Sequence, residues 1–536
     1  MSLLDTIRTD CLVIGAGLAG CAYAHYASKL GLSVALVCSD ELTKGANSQW
    51  AQGGIIFDTS FNEEQLKQDI RAASDGTSNP SAVDCLVEHG QAAVQSLLLD
   101  ELNVPFDREE SGDLKYTREG GHSDKRIIFS KDLTGRAILS NMHDHVLGLE
   151  GVSVLTNTVA VDLLTLSHNS VDPLDKYKPI TCAGAYILDT DSGEIRAIIA
   201  KKTILATGGL GQIFQNTTNQ SGVVGHGMAM AQRVGARVID LEYIQFHPTV
   251  FLKKGCPLFL VSEAVRGEGG VLVNANGKAF MDSLHPMKSL APRDIVARAI
   301  HQELIATGEN CVFIDLSALE PDYVEERFPS IFRRCLENGV DIRKDLIPVA
   351  PAAHYCCGGV YTDLDGRSSV RNLNAIGETA CTGLHGANRL ASTSLLECLV
   401  SAKLTAEADR RDFDSLDFHL PEVRAWESPD ERADEVLIQQ DMRLIKSTMW
   451  NYVGLIRSSR RLQRARRILL ELDHEINDFY SGNRLTRSLI DLRNAVKTAL
   501  LVVHAASLNA QSKGSHYIAL DDEEIDLPSA TIEDLK

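Results

Sequence analysis

The chain has 536 residues, 44% of them hydrophobic and 23% charged, with a formal net charge of −19. That length exceeds a single hydrophobic core and predicts two to four domains of ordinary soluble composition. An acidic surface is repelled by nucleic acid and by anionic membranes, which argues against either as the main partner. Anionic small molecules remain open, because local cations set the potential inside a pocket.

The first strand is read from residue 10, which leaves no room for a secretory leader, and no apolar run approaches the roughly 20 residues that cross a bilayer. The twelve cysteines are scattered, with no CxxC pair and no Cys/His cluster at zinc spacing. Reduced thiols, a cytoplasmic location and no metal are the expectation.

Asp10 to Ile14 reads as a short buried strand, followed at once by Gly15-Ala16-Gly17-Leu18-Ala19-Gly20. A helical run from Cys21 to Leu30, a Gly31 stop and a second strand from Ser33 to Cys38 complete a βαβ unit with G-x-G-x-x-G at its first turn. Gly15 permits the tight turn, Gly17 lets a pyrophosphate approach, and Gly20 lets helix and strand pack closely. The helix start offers free N–H groups and partial positive charge to phosphates.

The small and polar loop from Thr43 to Gly54 then suits a wrapping around a cofactor. Residues 62–100 look helical, broken at Asn79-Pro80, and Arg118 to Ser123 reads locally as a solvated turn. A helix over 134–150 and strands over 152–161 and 181–200 follow, with a surface loop from Ser167 to Lys178 between the strands. Ala206-Thr207-Gly208-Gly209 closes an apolar strand in the style of the first fingerprint, so the sheet carries an insertion between its two turns. A helix over 222–236 starts in glycines, and from 241 to 353 the texture changes to short strands, helices and polar turns. The strand-and-glycine style returns at Gly358, and beyond 420 the pattern is helical to 510. The basic run Arg457 to Arg467 reads as a solvated helix face or a patch facing the acidic remainder.

His247, Ser262, Glu263, Arg266, Arg293, His354 and Arg389 stand beside Gly- and Pro-rich turns in the 241–353 segment and its hinges. Singly, each has a bland explanation as a core, capping or surface residue. Together, two histidines and two arginines suit a small dicarboxylate, since Arg grips a carboxylate bidentately and His donates from either nitrogen. No G-x-S-x-G, H-E-x-x-H or P-loop pattern competes.

In chain order, GAGLAG, AQGGI, ATGG, FHPT, SEAVRGEGG, APRDIVARAI, AAHYCCGGV and HGANRLASTSLLECLV resemble the succinate dehydrogenase/fumarate reductase flavoproteins, and among them the L-aspartate oxidases. The resemblance runs from Gly15 to about His516. It implies an α/β Rossmann-type FAD-binding domain over 1–240 and 355–420, an inserted α+β capping domain over 241–354, and a C-terminal helical domain over 421–536. It puts FAD against Gly15, Gly17, Leu18, Ala19, Gly20, Ser39, Asn47, Ser48, Ala51, Gln52, Gly53 and Gly54. Further cofactor positions are Ala206, Thr207, Gly208, Gly209, Glu378, Asn388, Arg389, Ser392, Ser394 and Leu395.

The same resemblance puts His247, Ser262, His354 and Arg389 on substrate carboxylates. Arg293 falls on the arginine that handles the proton in fumarate reduction; so weak an acid can serve only if crowded by other cations and desolvated, or if it relays to a neighbouring carboxylate such as Glu263 or Asp294. Glu119 falls where L-aspartate oxidases carry a glutamate suited to the substrate ammonium, which replaces the solvated-turn reading of its loop. Asn47 stands where respiratory relatives carry the histidine that binds FAD covalently, so non-covalent FAD is expected.

The implied activity is oxidation of L-aspartate to iminoaspartate, with O₂ giving H₂O₂ or fumarate giving succinate. It is the first step of de novo NAD biosynthesis, with quinolinate synthase as a candidate partner. A soluble fumarate reductase or succinate dehydrogenase flavoprotein subunit is the alternative. Several positions depart from the family pattern. Cys38-Ser39 lacks the acid many FAD proteins place there for the ribose, and His226 stands where relatives usually have Asp. Ser262 replaces Thr, Thr393 replaces Asn, and Lys513 replaces Arg.

Overall fold

The computed structural model describes residues 6–42, 44–57, 62–415 and 418–519. Thr43 of the expected cofactor loop and the last 17 residues, 520–536, of the expected helical domain lie outside them.

Ile7–Ile14 is the centre of a seven-stranded sheet. It pairs in parallel with Val34–Val37 on one side and with Ile195–Leu205 on the other. Val152–Leu155 extends the parallel edge, and Leu373–Ala375 joins the end of Ile195–Leu205, also in parallel. Cys182–Asp189 and Thr158–Thr165 continue the sheet as an antiparallel pair. The expected run over 181–200 is thus two strands, turned at Asp189 to Glu194.

The apolar run in the first strand is unbroken because both faces are covered. Successive side chains point to opposite faces. Leu12 and Ile14 pack in a core with Leu489, Val496 and Val503 of the C-terminal helices, while Cys11 and Val13 pack in another with Ala22, Leu396 and Leu399. Burying each such Leu or Val side chain stabilises the fold by roughly 1.5–3 kcal/mol.

The register places Ile14 beside Leu205, so two glycine turns nearly 200 residues apart in sequence emerge side by side. Ala206 N–H donates to Ile14 O at 2.9 Å. Gly15 has φ +112°, and a Cβ there would collide with the Ala206 carbonyl oxygen. A Cβ on Gly20 would strike Gly15 O, which is the close helix–strand approach.

The helices over 62–100 appear as Glu63–Ala73 and Pro80–Ala93, the latter continuing into a π-helical stretch, Val94–Glu101. Asn62 and Asn79 cap the two helix starts through Gln65 N and Ser81 N. The expected loop Ser167 to Lys178 contains two short helical pieces, Leu166–Asn169 and Asp175–Tyr177.

A second, five-stranded antiparallel sheet is built on Ile244–Phe251 and Ile347–Cys356, flanked by Phe259–Leu260, Val312–Asp315 and Val271–Val273. With the helix Arg293–Thr307 it encloses its own core, including Phe251, Val265, Ile300 and Ile314. Ser394–Ser415 is a long helix that local pattern did not reveal. Glu435–Val453, Ser459–Gly482 and Arg487–Leu508 form the C-terminal helices.

Arg457 corrects the reading of the basic run. It precedes the helix and is fully buried, with its guanidinium donating to Val453 O at 3.1 Å and Glu242 O at 2.7 Å and contacting His516 Nδ1. Arg460, Arg461, Arg464 and Arg467 are exposed, as a solvated face would be.

Candidate active site

A cavity of about 490 Å³ runs from the paired glycine turns to the second sheet. Gly15, Gly17, Leu18 and Ala19 line it where the helix Leu18–Lys29 begins; Leu18 N–H donates to Ser48 Oγ at 3.3 Å, and the other N–H groups of that first turn have no acceptor within the helix. Ser39, Asn47, Ser48, Ala51, Gln52, Gly53 and Gly54 form the adjoining wall, and Ala206, Thr207 and Gly208 the next. Glu378, Ser392, Ser394 and Leu395 line the far side.

Gly20, Gly209 and Asn388 do not line the cavity. Gly20 serves helix packing, Gly209 backs onto the Glu378 carboxylate, and Asn388 accepts from Gln245 Nε2 at 2.7 Å. Three buried atoms on residues of the wall, Asn47 Nδ2, Gln52 Oε1 and Arg389 Nε, have no hydrogen-bond partner among the described residues. Unpaired buried polar groups are costly, so these fit a wall completed by a polar ligand. N–H groups at a helix start, with unpaired polar side-chain atoms around them, suit a polar ligand with phosphates such as FAD.

The second sheet brings the expected substrate residues to the same cavity. His247 and His354 sit on its two long paired strands, with rings 5.2 Å apart, and both line the cavity with Ser262, Glu263, Arg293 and Arg389. Thr249 N–H donates to His247 Nδ1 at 3.2 Å, so Nε2 carries the proton of the neutral ring. Burial, with Arg293 and His354 nearby, holds the His247 pKa well below the usual imidazole range. Burial beside Arg389 and Arg293 does the same to His354. Both rings are therefore held neutral, and His247 donates from Nε2.

Arg389 lies 4.3 Å over the Tyr355 ring and donates to Ser394 Oγ at 2.8 Å. Gln245 Oε1 joins the two arginines, accepting from Arg293 Nη1 at 2.9 Å and Arg389 Nη2 at 3.2 Å. Of the two carboxylates near Arg293, Glu263 is its partner, with Nε to Oε2 at 2.7 Å. Asp294 instead pairs with Arg298 at 2.7 Å. Arg266 stands behind Glu263 at 3.6 Å. Burial opposes the Glu263 charge, but Arg293 and Arg266 outweigh it and hold the carboxyl below its ordinary pKa.

Glu119 is an anion among these cations. It is 6% exposed, lines the cavity and accepts a short hydrogen bond from Ser392 Oγ. Burial raises its pKa, against the Ser392 bond and with repulsion from Glu263 adding to the rise. Glu378 is pushed up to about 7 by burial, although Cys356 N–H donates to it.

A family described as FAD binding domain matches residues 10–395. An L-aspartate oxidase of Halobacterium salinarum is 42% identical over 520 residues, 96% of this chain and 97% of its own. L-aspartate oxidase 1 of Ralstonia nicotianae is 41% identical over 515 residues, 95% of this chain and 94% of its own. The chain belongs to the L-aspartate oxidase family. Among solved structures, a variant of the E. coli quinol fumarate reductase is 26% identical, with a TM-score of 0.84 over 98% of this chain and 93% of that one. The chain thus shares the architecture of that fumarate reductase flavoprotein.

Several wall residues carry no signal that singles them out in the L-aspartate oxidase motifs. Thr218 Oγ1 lies 2.8 Å from His354 Nδ1, and Gln220 N–H donates to Asn47 Oδ1 at 2.9 Å. Gln245 lies two residues before His247, which on a strand puts both on one face, and that spacing could have flagged it. Arg487 and Asp491 reach the cavity from the C-terminal helices, a placement that local sequence does not encode. Away from the cavity, His25, Glu101 and His145 converge, and Lys29 Nζ bonds both Glu101 oxygens at 2.6 Å. Among the described residues no helix is long and apolar enough to cross a membrane. All twelve cysteines are free thiols.

Proposed function

We propose that this chain oxidises L-aspartate to iminoaspartate with non-covalently held FAD, passing the electrons to O₂ or to fumarate. The observation that carries the reading is Glu119, a buried carboxylate bonded by Ser392 and not by an arginine, on the wall that also carries Arg293, Arg389, His247, His354 and the arginine-paired Glu263. Cations alone suffice for succinate; an anion beside them becomes favourable when the ligand also bears an α-ammonium. The rival reading, a fumarate reductase or succinate dehydrogenase flavoprotein subunit, gives Glu119 no partner.

The domain reading is an FAD-binding domain over 1–240 and 355–420, a capping domain over 241–354 and a helical domain over 421–536. The separate core behind the five-stranded sheet supports the cap. Asn47, engaged with Gln220 N–H, has no imidazole for a covalent link. FAD, when bound, supplies the two-electron acceptor.

The chain's residues do the rest. Arg389 offers its unpaired Nε to a substrate carboxylate, and His247 Nε2–H and the Ser262 hydroxyl add neutral donors, with His354 beside them. Glu119 pairs with the ammonium, and its raised pKa makes it a stronger base for that proton. Taking the proton frees the nitrogen lone pair that imine formation requires. In the fumarate direction Arg293 delivers a proton, and the ionised Glu263 against its Nε relays a replacement taken up from solvent, since a lone guanidinium is a poor acid.

Imines hydrolyse in water, so transfer of iminoaspartate to quinolinate synthase in the cytoplasm, toward NAD, belongs to the same reading. Anaerobic mixing with L-aspartate is expected to bleach the bound flavin, and succinate is not. Bleaching by succinate alone would replace this reading with the fumarate reductase one.

A further inference from the structure

One stretch of the cavity wall is assembled from distant parts of the chain. Cys38 and Ser39 follow the strand Val34–Val37, where a dinucleotide fold ordinarily carries an acid for the ribose hydroxyls, and neither has a carboxylate. The next acid, Asp40, is already committed. Arg487 reaches its two oxygens at 2.6 and 2.9 Å and also donates to Ser39 O at 3.1 Å.

One turn along the same helix, Asp491 lines the cavity together with Ser39, His226 and Arg487. Its Oδ1 lies 3.0 Å from His226 Nε2. The His226 tautomer is set from behind. Arg233 Nη1 donates to Asn494 Oδ1 at 2.9 Å, which turns the amide NH₂ toward His226 Nδ1 at 2.8 Å. Nδ1 therefore accepts, Nε2 carries the proton, and His226 donates to Asp491. Arg487 Nε stands 3.9 Å from Oδ2, beyond hydrogen-bond distance, and a carboxylate has about four acceptor positions, so one donor leaves room for a pair of hydroxyls.

We infer that Asp491, oriented by His226, supplies the carboxylate that binds the adenosine ribose of FAD, making the helix Arg487–Leu508 part of the cofactor site. The inference rests on the FAD reading of the cavity. It accounts for the two departures at this end, the missing acid at Cys38-Ser39 and the histidine at 226. The acid is carried by the C-terminal helix, and His226 aims it.

The test is titration of apoprotein with FAD and with FMN, which lacks the adenosine, followed by flavin fluorescence. Asp491→Ala is expected to weaken FAD about 10- to 100-fold, as for loss of charge-assisted hydrogen bonds, while FMN changes by less than about twofold. The pair His226→Asp with Asp491→Asn returns a carboxylate to the wall from the other side. It is expected to recover FAD affinity to within about fivefold of the unsubstituted protein.

Equal weakening of FAD and FMN by Asp491→Ala would make Asp491 a packing residue and overturn the inference. So would unchanged FAD binding, or failure of the paired change to recover affinity. Failure of the unsubstituted apoprotein to bind FAD would instead sink the proposed function.

Discussion

Around Gly15, Gly17 and Ala206 the cavity wall is backbone, while around Arg293, Arg389 and Glu119 it is charged side chain. The backbone wall depends on a turn and on the absence of Cβ atoms, so it tolerates changes in neighbouring side chains such as Cys38 and Ser39. The charged wall depends on groups that hold one another: Gln245 ties the two arginines, Glu263 holds Arg293, and Ser392 holds Glu119. Removing one member leaves a buried partner unpaired. Cofactor binding and substrate choice are therefore separable by mutation, and the following changes test that separation.

Arg293→Leu has the largest expected effect. Fumarate reduction falls by about 10³-fold or more, in the range of a lost general acid, while oxidation of L-aspartate by O₂ falls less than about tenfold. FAD titration stays near that of the unsubstituted protein. Steady-state rates with the two acceptors check this, and equal loss of both would merge the two roles of Arg293.

Gly15→Ala attacks the other wall. The new Cβ meets the Ala206 carbonyl at a φ of +112° that L residues rarely adopt. Strain of about 1–3 kcal/mol is expected in apoprotein unfolding, with a matching loss of FAD affinity. The cap residues are untouched, so holoprotein reconstituted at high FAD keeps its KM for aspartate.

Glu378→Gln leaves both walls in place and shows only as pH dependence. Burial first, against the Cys356 N–H bond, raises this carboxyl from 4.5 to about 7 in the folded chain. The folded state keeps the proton between those values while the unfolded state loses it, so stability falls as pH rises from about 4.5 to about 7. Glu378→Gln removes that decline, which is on the order of 3 kcal/mol. Denaturant melts of the two apoproteins at pH 5 and pH 8 measure the difference.

Much of the fold was legible because strand, glycine turn and helix follow one another locally, and because Asn caps and Pro breaks mark the helices near residues 62 and 80. Pairing was not legible. That Ile14 lies beside Leu205 depends on sheet register, and the nearly 200 residues between them hide it. Charge pattern misread Arg457, whose partners Glu242 and His516 lie far off in sequence. The charged wall was named from motifs, but its connectors were not. Gln245 was not singled out, Ser392 was expected at the cofactor but bonds Glu119, and Asp491 arrives on a helix whose sequence looks purely structural.

The central claim is that Glu119 selects an amino acid over a plain dicarboxylate. The most direct measurement is kcat/KM for L-aspartate and the inhibition constant of succinate in Glu119→Leu, with FAD affinity as control. The expected result is a loss of about 10²–10³-fold for aspartate, with succinate binding unchanged or tighter and FAD binding intact. Equal weakening of aspartate and succinate would contradict the claim, because it would mean that Glu119 shapes the pocket without reading the ammonium.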